Sequence, residues 1–279
     1  MNPVQTKLFE ALCDLDDFCR EHDIRYYLAA GSVLGAVRHQ GFIPWDDDLD
    51  VVMTRKEYDR LIPLMKKELN PDKYFVQDFD SDPTVHCFWA KLRINGTTFV
   101  ENGAMENPMH QGLSVDLFPV YPAAPPGLSR RWQSLFSKVF RALCLTHVKG
   151  RSHYVPLAKL LKRIFGERRL YRFCEKQFSK YPDSTDEYFD PAWYRYERCY
   201  FKKRWYGEPE YYLFEGRLFP CPTHTEEYLI SRYGDYMTPP PEDKRSGHVA
   251  EIVDPDKDYS EYTGFSHPGS LDSNRSVIE

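Results

Sequence analysis

Asp48 and Asp50 stand two residues apart at the entrance to the apolar run Val51-Val52-Met53. Side chains alternate faces along a strand, so the pair projects from one side of a sheet. Carboxylates held this close repel one another unless a cation lies between them, and all-oxygen donors select Mg²⁺ or Mn²⁺. Asp46 is in phase with Asp48 and could ligate a second ion or orient the loop. Asp116 is the best third ligand, because it interrupts the otherwise apolar stretch Leu113-Ser-Val-Asp-Leu-Phe-Pro. A buried carboxylate must be paired, hydrogen-bonded or metal-bound; a core arginine partner is the alternative to metal. Upstream, the apolar run Tyr26–Ala30 breaks at Gly31-Ser32. Gly31 permits close backbone approach, and Ser32 can present a hydroxyl and free amides at a helix start, where oxygen anions are favoured. A phosphate cradle followed by a carboxylate strand is the layout of phosphoryl or nucleotidyl transfer.

Four further residues could serve that chemistry. Arg38 offers a planar fork of donors suited to phosphate. His39 could donate to a phosphate oxygen or to a leaving group, or be structural. Strand alternation puts Lys91 and Arg93 on one face, and one of them is expected to reach the site; a solvated edge strand is the alternative. Trp45 could stack on a nucleobase or pack its loop. Twelve aromatic residues lie between Tyr188 and Phe214. Most are expected in the core, but such a set could also cage a quaternary ammonium.

The elements that must position these residues follow from periodicity. Leu8, Leu12, Leu15 and Cys19 mark an amphipathic helix over residues 3–21. A short strand at 26–30, a helix at 32–39 and a strand at 50–53 come next, and Thr54-x-x-Glu57 is a capping box opening a helix to about Glu68. Apolar runs at 74–79, 87–94, 97–101 and 113–120 read as strands. The fold class is α+β: a mixed-sheet core with flanking helices and a C-terminal helical, aromatic-rich region. Residues 1–121 form the expected catalytic core, and the Pro-rich stretch 122–127 is the candidate linker. Residues 122–254 hold helices at about 129–148 and 156–180, aromatic strands, and a last helix capped by Thr223-x-x-Glu226. Residues 255–279 read as a frayed tail.

The run Gly31-Ser32-x-Leu34-Gly35-Ala36-x-Arg38-His39-x-Gly41-Phe42-Ile43-Pro44-Trp45-Asp46-Asp47-Asp48-x-Asp50-Val51 resembles the signature of the LicD family. These are bacterial phosphocholine transferases related to the fukutin-type ribitol-phosphate transferases. Looser matches follow at Lys91-Leu92-Arg93 with Gly96-Thr97, at Val115–Pro119, and at Tyr228-Leu229 with Tyr233–Met237 and Pro239-Pro240, so the resemblance spans roughly residues 5 to 250. It implies a nucleotidyltransferase fold in which a third carboxylate can ligate metal and help deprotonate the incoming hydroxyl. It also implies a cytidine diphosphate-linked alcohol donor such as CDP-choline, and as acceptor a sugar hydroxyl of a lipopolysaccharide, teichoic acid or capsule precursor, in lipid-linked form or free.

Composition narrows the class. The longest apolar runs fall far below the roughly 20 residues of a spanning helix, and Met1 leads into a polar helix, so the expected location is the cytoplasm. Seven scattered cysteines without a C-x-x-C spacing exclude a disulfide framework and a zinc ribbon, and Cys221-Pro-Thr-His224 lacks a second ligand pair. The net charge of −5 is uneven: residues 129–180 hold fourteen Lys/Arg against Glu167 and Glu175, about +12. Such a block could meet a polyanion or the inner face of a membrane, or be a solvated face. Nucleic acid is not an expected partner. A metal-dependent glycosyltransferase fits less well, since its Asp-x-Asp ends an apolar strand rather than beginning one. The haloacid-dehalogenase pattern fails for want of a preceding apolar strand. A nucleotidyltransferase proper, and a catalytically inactive adaptor docking through the basic helices, are the remaining alternatives.

Overall fold

A computed structural model of the chain describes residues 1–85, 87–144, 155–192, 199–245, 247 and 250–265. Its centre is a mixed sheet of seven strands among the described residues, in the order β1 (Tyr27–Leu28), β2 (Leu49–Thr54), β6 (Ser114–Pro122), β4 (Ala90–Ile94), β3 (Tyr74–Gln77), with β7 (Glu187–Phe189) and β8 (Tyr200–Lys202) continuing from β6. Strands β2 and β6 run parallel, and β6 is antiparallel to β4. A parallel pair needs a crossover, which α3 (Arg55–Glu68) and β3–β4 provide with β5 (Thr98–Glu101). Helix α1 (Pro3–Glu21) buries the Leu8, Leu12, Leu15 and Cys19 stripe expected of it, and Asn2 with Gln5 forms a capping box at its start.

Helix α2 (Ala30–His39) begins two residues earlier than its sequence suggested, and β1 is correspondingly short. The cause is local: Ala30 adopts φ +44°, turning the chain out of extended conformation directly into the helix. Thr54 caps α3 as expected, its Oγ1 accepting from the Glu57 N–H at 3.4 Å.

The basic region differs from its expected form in two ways. The first half of the Pro-rich stretch is part of the packed fold, since β6 runs to Pro122 and Ala123 and Ala124 are fully buried, while residues 125–127 are exposed. Helix α4 spans Leu128–Cys144, and residues 145–154 lie outside the described part. The expected 156–180 helix is two, α5 (Val155–Phe165) and α6 (Glu167–Ser179), broken at Gly166 with φ +78°. These helices close a second apolar cluster around Phe136, Phe140, Tyr171, Phe178 and Phe189. Tyr121 of β6 joins that cluster while Leu117 belongs to the main one, so one strand ties the two regions together.

The aromatic segment supplies β7, β8 and the hairpin β9 (Glu210–Phe214)–β10 (Arg217–Cys221), and α7 follows (Thr225–Tyr233). The expected Thr223 capping box is not formed: Thr223 Oγ1 donates to the Glu208 carbonyl. Glu210 takes its place, accepting from the N–H groups of His224 at 2.9 Å and Thr225 at 3.4 Å. Strand β11 (Ala250–Asp254) pairs with β5, and α8 (Ser260–Thr263) follows. Residues 255–265 are therefore part of the fold, and the rest of the expected tail, 266–279, lies outside the described residues. Tyr259 is fully buried with its ring centroid 4.7 Å from that of His110.

Candidate active site

Three adjacent strands bring the chemistry together by register. Asp50 on β2 lies opposite Asp116 on β6, and Asp116 lies opposite Lys91 on β4. One row across the sheet thus reads carboxylate, carboxylate, ammonium. Lys91 Nζ donates to both Asp116 oxygens, at 2.8 and 2.7 Å. Trp89 Nε1 donates to Oδ2 at 2.8 Å, and Ser114 Oγ to Oδ1 at 3.1 Å. Burial works against the Lys91 charge, but Asp116 outweighs it and holds the ammonium pKa above its ordinary value. Arg93, which shares the strand face of Lys91 by alternation, is instead spent on structure, donating to Gln77 Oε1 at 2.6 Å and the Gly112 carbonyl at 2.7 Å. Burial, then repulsion from Asp48 and Asp116, pushes the Asp50 carboxyl well above the usual carboxylate range, with Lys91 opposing and Asp46 adding.

The loop before β2 carries the second carboxylate group. Ligand oxygens of Asp46, Asp47 and Asp48 all lie within 4.8 Å of one another, and this is the group at metal-ligand spacing among the described residues. Hard oxygen donors at that spacing suit a divalent cation such as Mg²⁺. Asp47 was not singled out by sequence, while Asp116 sits in the row with Lys91 and outside this group. Asp48 links the two sets, since its charge acts on Asp50.

The loop is held from both sides. The β9–β10 hairpin turns through Glu215 and Gly216, both at positive φ, in the manner of a two-residue turn. Glu215 Oε1 accepts from the Phe42 N–H at 3.0 Å, and the Glu215 N–H donates to the Gln40 carbonyl at 2.9 Å. A Cβ on Gly41 would lie 2.2 Å from that carboxylate oxygen, so any larger residue there would displace the Glu215 carboxylate. On the other side Gln5 Nε2 donates to the Asp46 carbonyl at 3.0 Å. A Cβ on Gly31 would lie 2.8 Å from Asp46 Oδ2, so the start of α2 and the Asp46 carboxylate share one small space, where the helix dipole favours negative charge.

The remaining expected residues fall as follows. Ser32 is buried, and its Oγ accepts from the Asp50 N–H at 2.9 Å, so it joins α2 to the carboxylate strand. Arg38 NH1 donates to the Tyr236 carbonyl at 2.7 Å. His39 stands edge-on to Trp45 at 6.4 Å, and burial together with Arg38 lowers its pKa. The Arg245 guanidinium covers the Trp45 ring at 5.0 Å. Cys221 is buried and all the described cysteines are free thiols.

Beside Asp50 opens a cavity of about 270 Å³ whose lining includes Val52, Trp89, Phe118, Asp190, Tyr206 and Tyr228. Sequence reading missed Trp89, Ser114, Asp190 and this pocket. Period-two spacing from Lys91 and Asp116 would have found Trp89 and Ser114, which share their faces.

Residues 23–142 match the LicD/FKTN/FKRP nucleotidyltransferase domain, a stretch that contains the sheet row. Over 242 residues, covering 84% of this chain and 90% of the relative, the chain is 28% identical to the lipopolysaccharide cholinephosphotransferase LicD of Haemophilus influenzae. Shorter matches, 35% identical over 63 residues and 46% over 44, link it to uncharacterized proteins of Rickettsia typhi and Rickettsia prowazekii.

Proposed function

We propose that this chain transfers phosphocholine, or a closely related phospho-alcohol, from a cytidine diphosphate donor to a sugar hydroxyl of a cell-surface glycan such as lipopolysaccharide. The observation that carries the reading is the Asp50–Asp116–Lys91 row inside the stretch that matches the LicD/FKTN/FKRP nucleotidyltransferase domain. Near full-length similarity to a protein named as a lipopolysaccharide cholinephosphotransferase supports the choice of group and acceptor.

Asp46, Asp47 and Asp48, with Asp50 beside them, would hold Mg²⁺ or Mn²⁺. A bound divalent ion would neutralise the donor diphosphate and the departing nucleoside monophosphate. The acceptor oxygen attacks phosphorus, the bond from phosphorus to the cytidine monophosphate oxygen breaks, and cytidine monophosphate leaves. The acceptor proton passes to a carboxylate oxygen of Asp116. Lys91, Trp89 and Ser114 fix that carboxylate in place, which suits a reaction whose catalysis is positioning and charge. Ser32 keeps the Asp50 backbone seated against α2.

The setting for this reaction would be the cytoplasmic face of a membrane, with the acceptor carried on lipid. Among the described residues no helix is long and apolar enough to cross a membrane. Support for peripheral contact comes from α4–α6, where exposed Trp132, Leu135, Leu157, Leu160, Ile164 and Phe173 are interleaved with arginines and lysines.

The test is incubation with a panel of cytidine diphosphate alcohols, Mg²⁺ and a sugar acceptor, following nucleotide release. Metal-dependent release of cytidine monophosphate is expected. Release of pyrophosphate from a nucleoside triphosphate instead would make the protein a nucleotidyltransferase proper.

A further inference from the structure

The pocket beside Asp50 has a composition that the transfer reaction does not require. Strand alternation carries the site face from polar to apolar within one step. Asp50 and Asp116 face each other, and two residues on, so do Val52 and Phe118. Phe118 packs against Trp89 with centroids 4.8 Å apart, and both rings are half-buried. Tyr206 and Tyr228, both buried, also line the pocket. Tyr228 is locked in place, its hydroxyl accepting from the Ala30 N–H at 3.1 Å, and Tyr206 is wedged between Tyr27 and Tyr188 at 5.5 and 5.6 Å. The walls are therefore rigid aromatic surfaces.

One further anionic group lies in this pocket. Asp190 is buried, with Oδ1 accepting from the Ala192 N–H at 2.9 Å, and the Arg232 guanidinium is 3.9 Å from its Oδ2. Asp50 lines the pocket as well, so its acidic side chains outnumber its one guanidinium. Aromatic faces with a surplus of negative charge favour a cation that donates no hydrogen bonds, because such a cation loses little on leaving water.

Resting on the proposed transferase reading, we infer that this pocket is the head-group subsite and selects a quaternary ammonium, with Trp89, Phe118, Tyr206 and Tyr228 as its cage and Asp190 as its counter-charge. Size agrees: about 270 Å³ is below the roughly 300–1,000 Å³ of pockets for drug-sized ligands, so it suits a small head group. Spacing agrees as well. The step from the carboxylate row to the Phe118 row is about 6.6 Å, two residues of strand, comparable with the reach of a two-carbon tether between phosphate and nitrogen. The phosphate then lies at the carboxylate row while the ammonium enters the cage.

Calorimetric titration with Mg²⁺ present tests this, using CDP-choline, CDP-ethanolamine and cytidine monophosphate as probes. CDP-choline should bind at least tenfold more tightly than CDP-ethanolamine. Phe118→Leu and Asp190→Asn should each cut that preference severalfold while leaving cytidine monophosphate affinity within twofold. Tyr206→Leu should do the same, and Tyr206→Phe, which keeps the ring and the packing, should retain the preference. Equal binding of the two donors would overturn the cage, as would a preference that survives Phe118→Leu, Asp190→Asn and Tyr206→Leu. So would a parallel fall in cytidine monophosphate affinity, which would put the nucleoside in this pocket. Metal-dependent release of cytidine monophosphate from CDP-ribitol or CDP-glycerol, without choline preference, overturns the cage alone. No release from any cytidine diphosphate alcohol overturns the transferase reading beneath it.

Discussion

The sheet face and the helical layer both concentrate charge, but they hold it differently. On the sheet face Asp50, Asp116 and Lys91 are fixed by strand register, and each neighbour has one geometry. On α4–α6 the charges ride on exposed side chains. Some are neutralised: Arg130 by Glu187 at 2.5 Å, Lys162 by Glu167 at 2.5 Å, and Arg168 with Arg172 by Asp80. Arg55 clamps the layer to the core through Glu175 and the Tyr121 hydroxyl. Among the described residues, no ion pair falls on Arg131, Lys138, Lys159, Arg163, Arg169 or Lys176. A site that does chemistry needs charges whose positions cannot drift, whereas a surface that meets a disordered polyanion needs only their number. The difference predicts that single substitutions matter greatly on the sheet and little on the helices.

The largest effect should come from the carboxylates. Asp50→Asn and Asp48→Asn preserve volume while removing charge, and each should abolish nucleotide release with thermal stability unchanged or raised. Retention of more than about a tenth of wild-type turnover, only ~1.4 kcal/mol of barrier, would remove these residues from the mechanism. Lys91→Met should follow closely, because it strands a mostly buried Asp116 without its cation. Breaking such a pair costs about 3 kcal/mol or more, so a falling melting temperature should accompany the loss of rate.

The helical layer should respond to sums instead. A polybasic surface gains about 1 kcal/mol per charge near an anionic leaflet and is screened by salt. Co-sedimentation with phosphatidylserine vesicles should drop steeply between low and high ionic strength. It should weaken modestly for Lys138→Glu and strongly when Arg131, Lys138, Lys159 and Arg163 are all changed to Glu. Turnover on a soluble acceptor should survive that quadruple change. Equal sedimentation with neutral vesicles would reduce the layer to a solvated face.

The same contrast governs what could be read from sequence. Asp50 and Asp116 were legible because each breaks an apolar strand pattern, and a strand fixes where its side chains point. Lys91 was separable from Arg93 only once pairing with β6 was known, since alternation gives both one face. Asp190 and the pocket aromatics depend on contacts between elements far apart in sequence, which no local pattern encodes. The Thr223 box failed for the same reason: Glu210, on another element, satisfies the helix start. The break between α5 and α6 was missed by the single helix expected over 156–180, although Gly166, at positive φ between the two, was its local signal. For the basic region the charge count was readable from composition, but the pairing of Arg130 with Glu187 was not.

Asp190 sharpens the comparison through pH. Burial raises its pKa to about 6, with Arg232 and the Ala192 N–H opposing. A carboxyl with a raised folded pKa binds more protons folded than unfolded, so its contribution to stability falls as pH rises from about 4 to 6 and is flat above. At roughly 1.4 kcal/mol per pH unit over that window, the loss is on the order of 3 kcal/mol. Asp190→Asn should therefore be more stable than wild type at pH 7, with a gap that closes by pH 4. CDP-choline affinity should run the other way, rising through pH 6 in wild type as the counter-charge forms, and staying flat in Asp190→Asn. An unchanged stability profile in the variant would mean that Asp190 stays ionised throughout.

The smallest effect expected on the sheet side is that of Ser32→Ala. The hydroxyl accepts from the Asp50 N–H; Ser32 is buried and Asp50 half-buried. Removing the acceptor leaves that N–H without its partner, at a cost of about 1–3 kcal/mol in stability. If Ser32 acts only as a strut for β2, turnover should fall severalfold through kcat, while donor KM changes little. Should its hydroxyl instead touch the donor phosphate, as the position of Gly31-Ser32 at a helix start first suggested, KM would rise with kcat nearly constant. Ser32→Thr, which restores an oxygen at the same place, would recover stability in either case if the added methyl is accommodated. The split between kcat and KM therefore decides whether this residue belongs to the fixed frame of the carboxylates or to the substrate contacts that the frame supports.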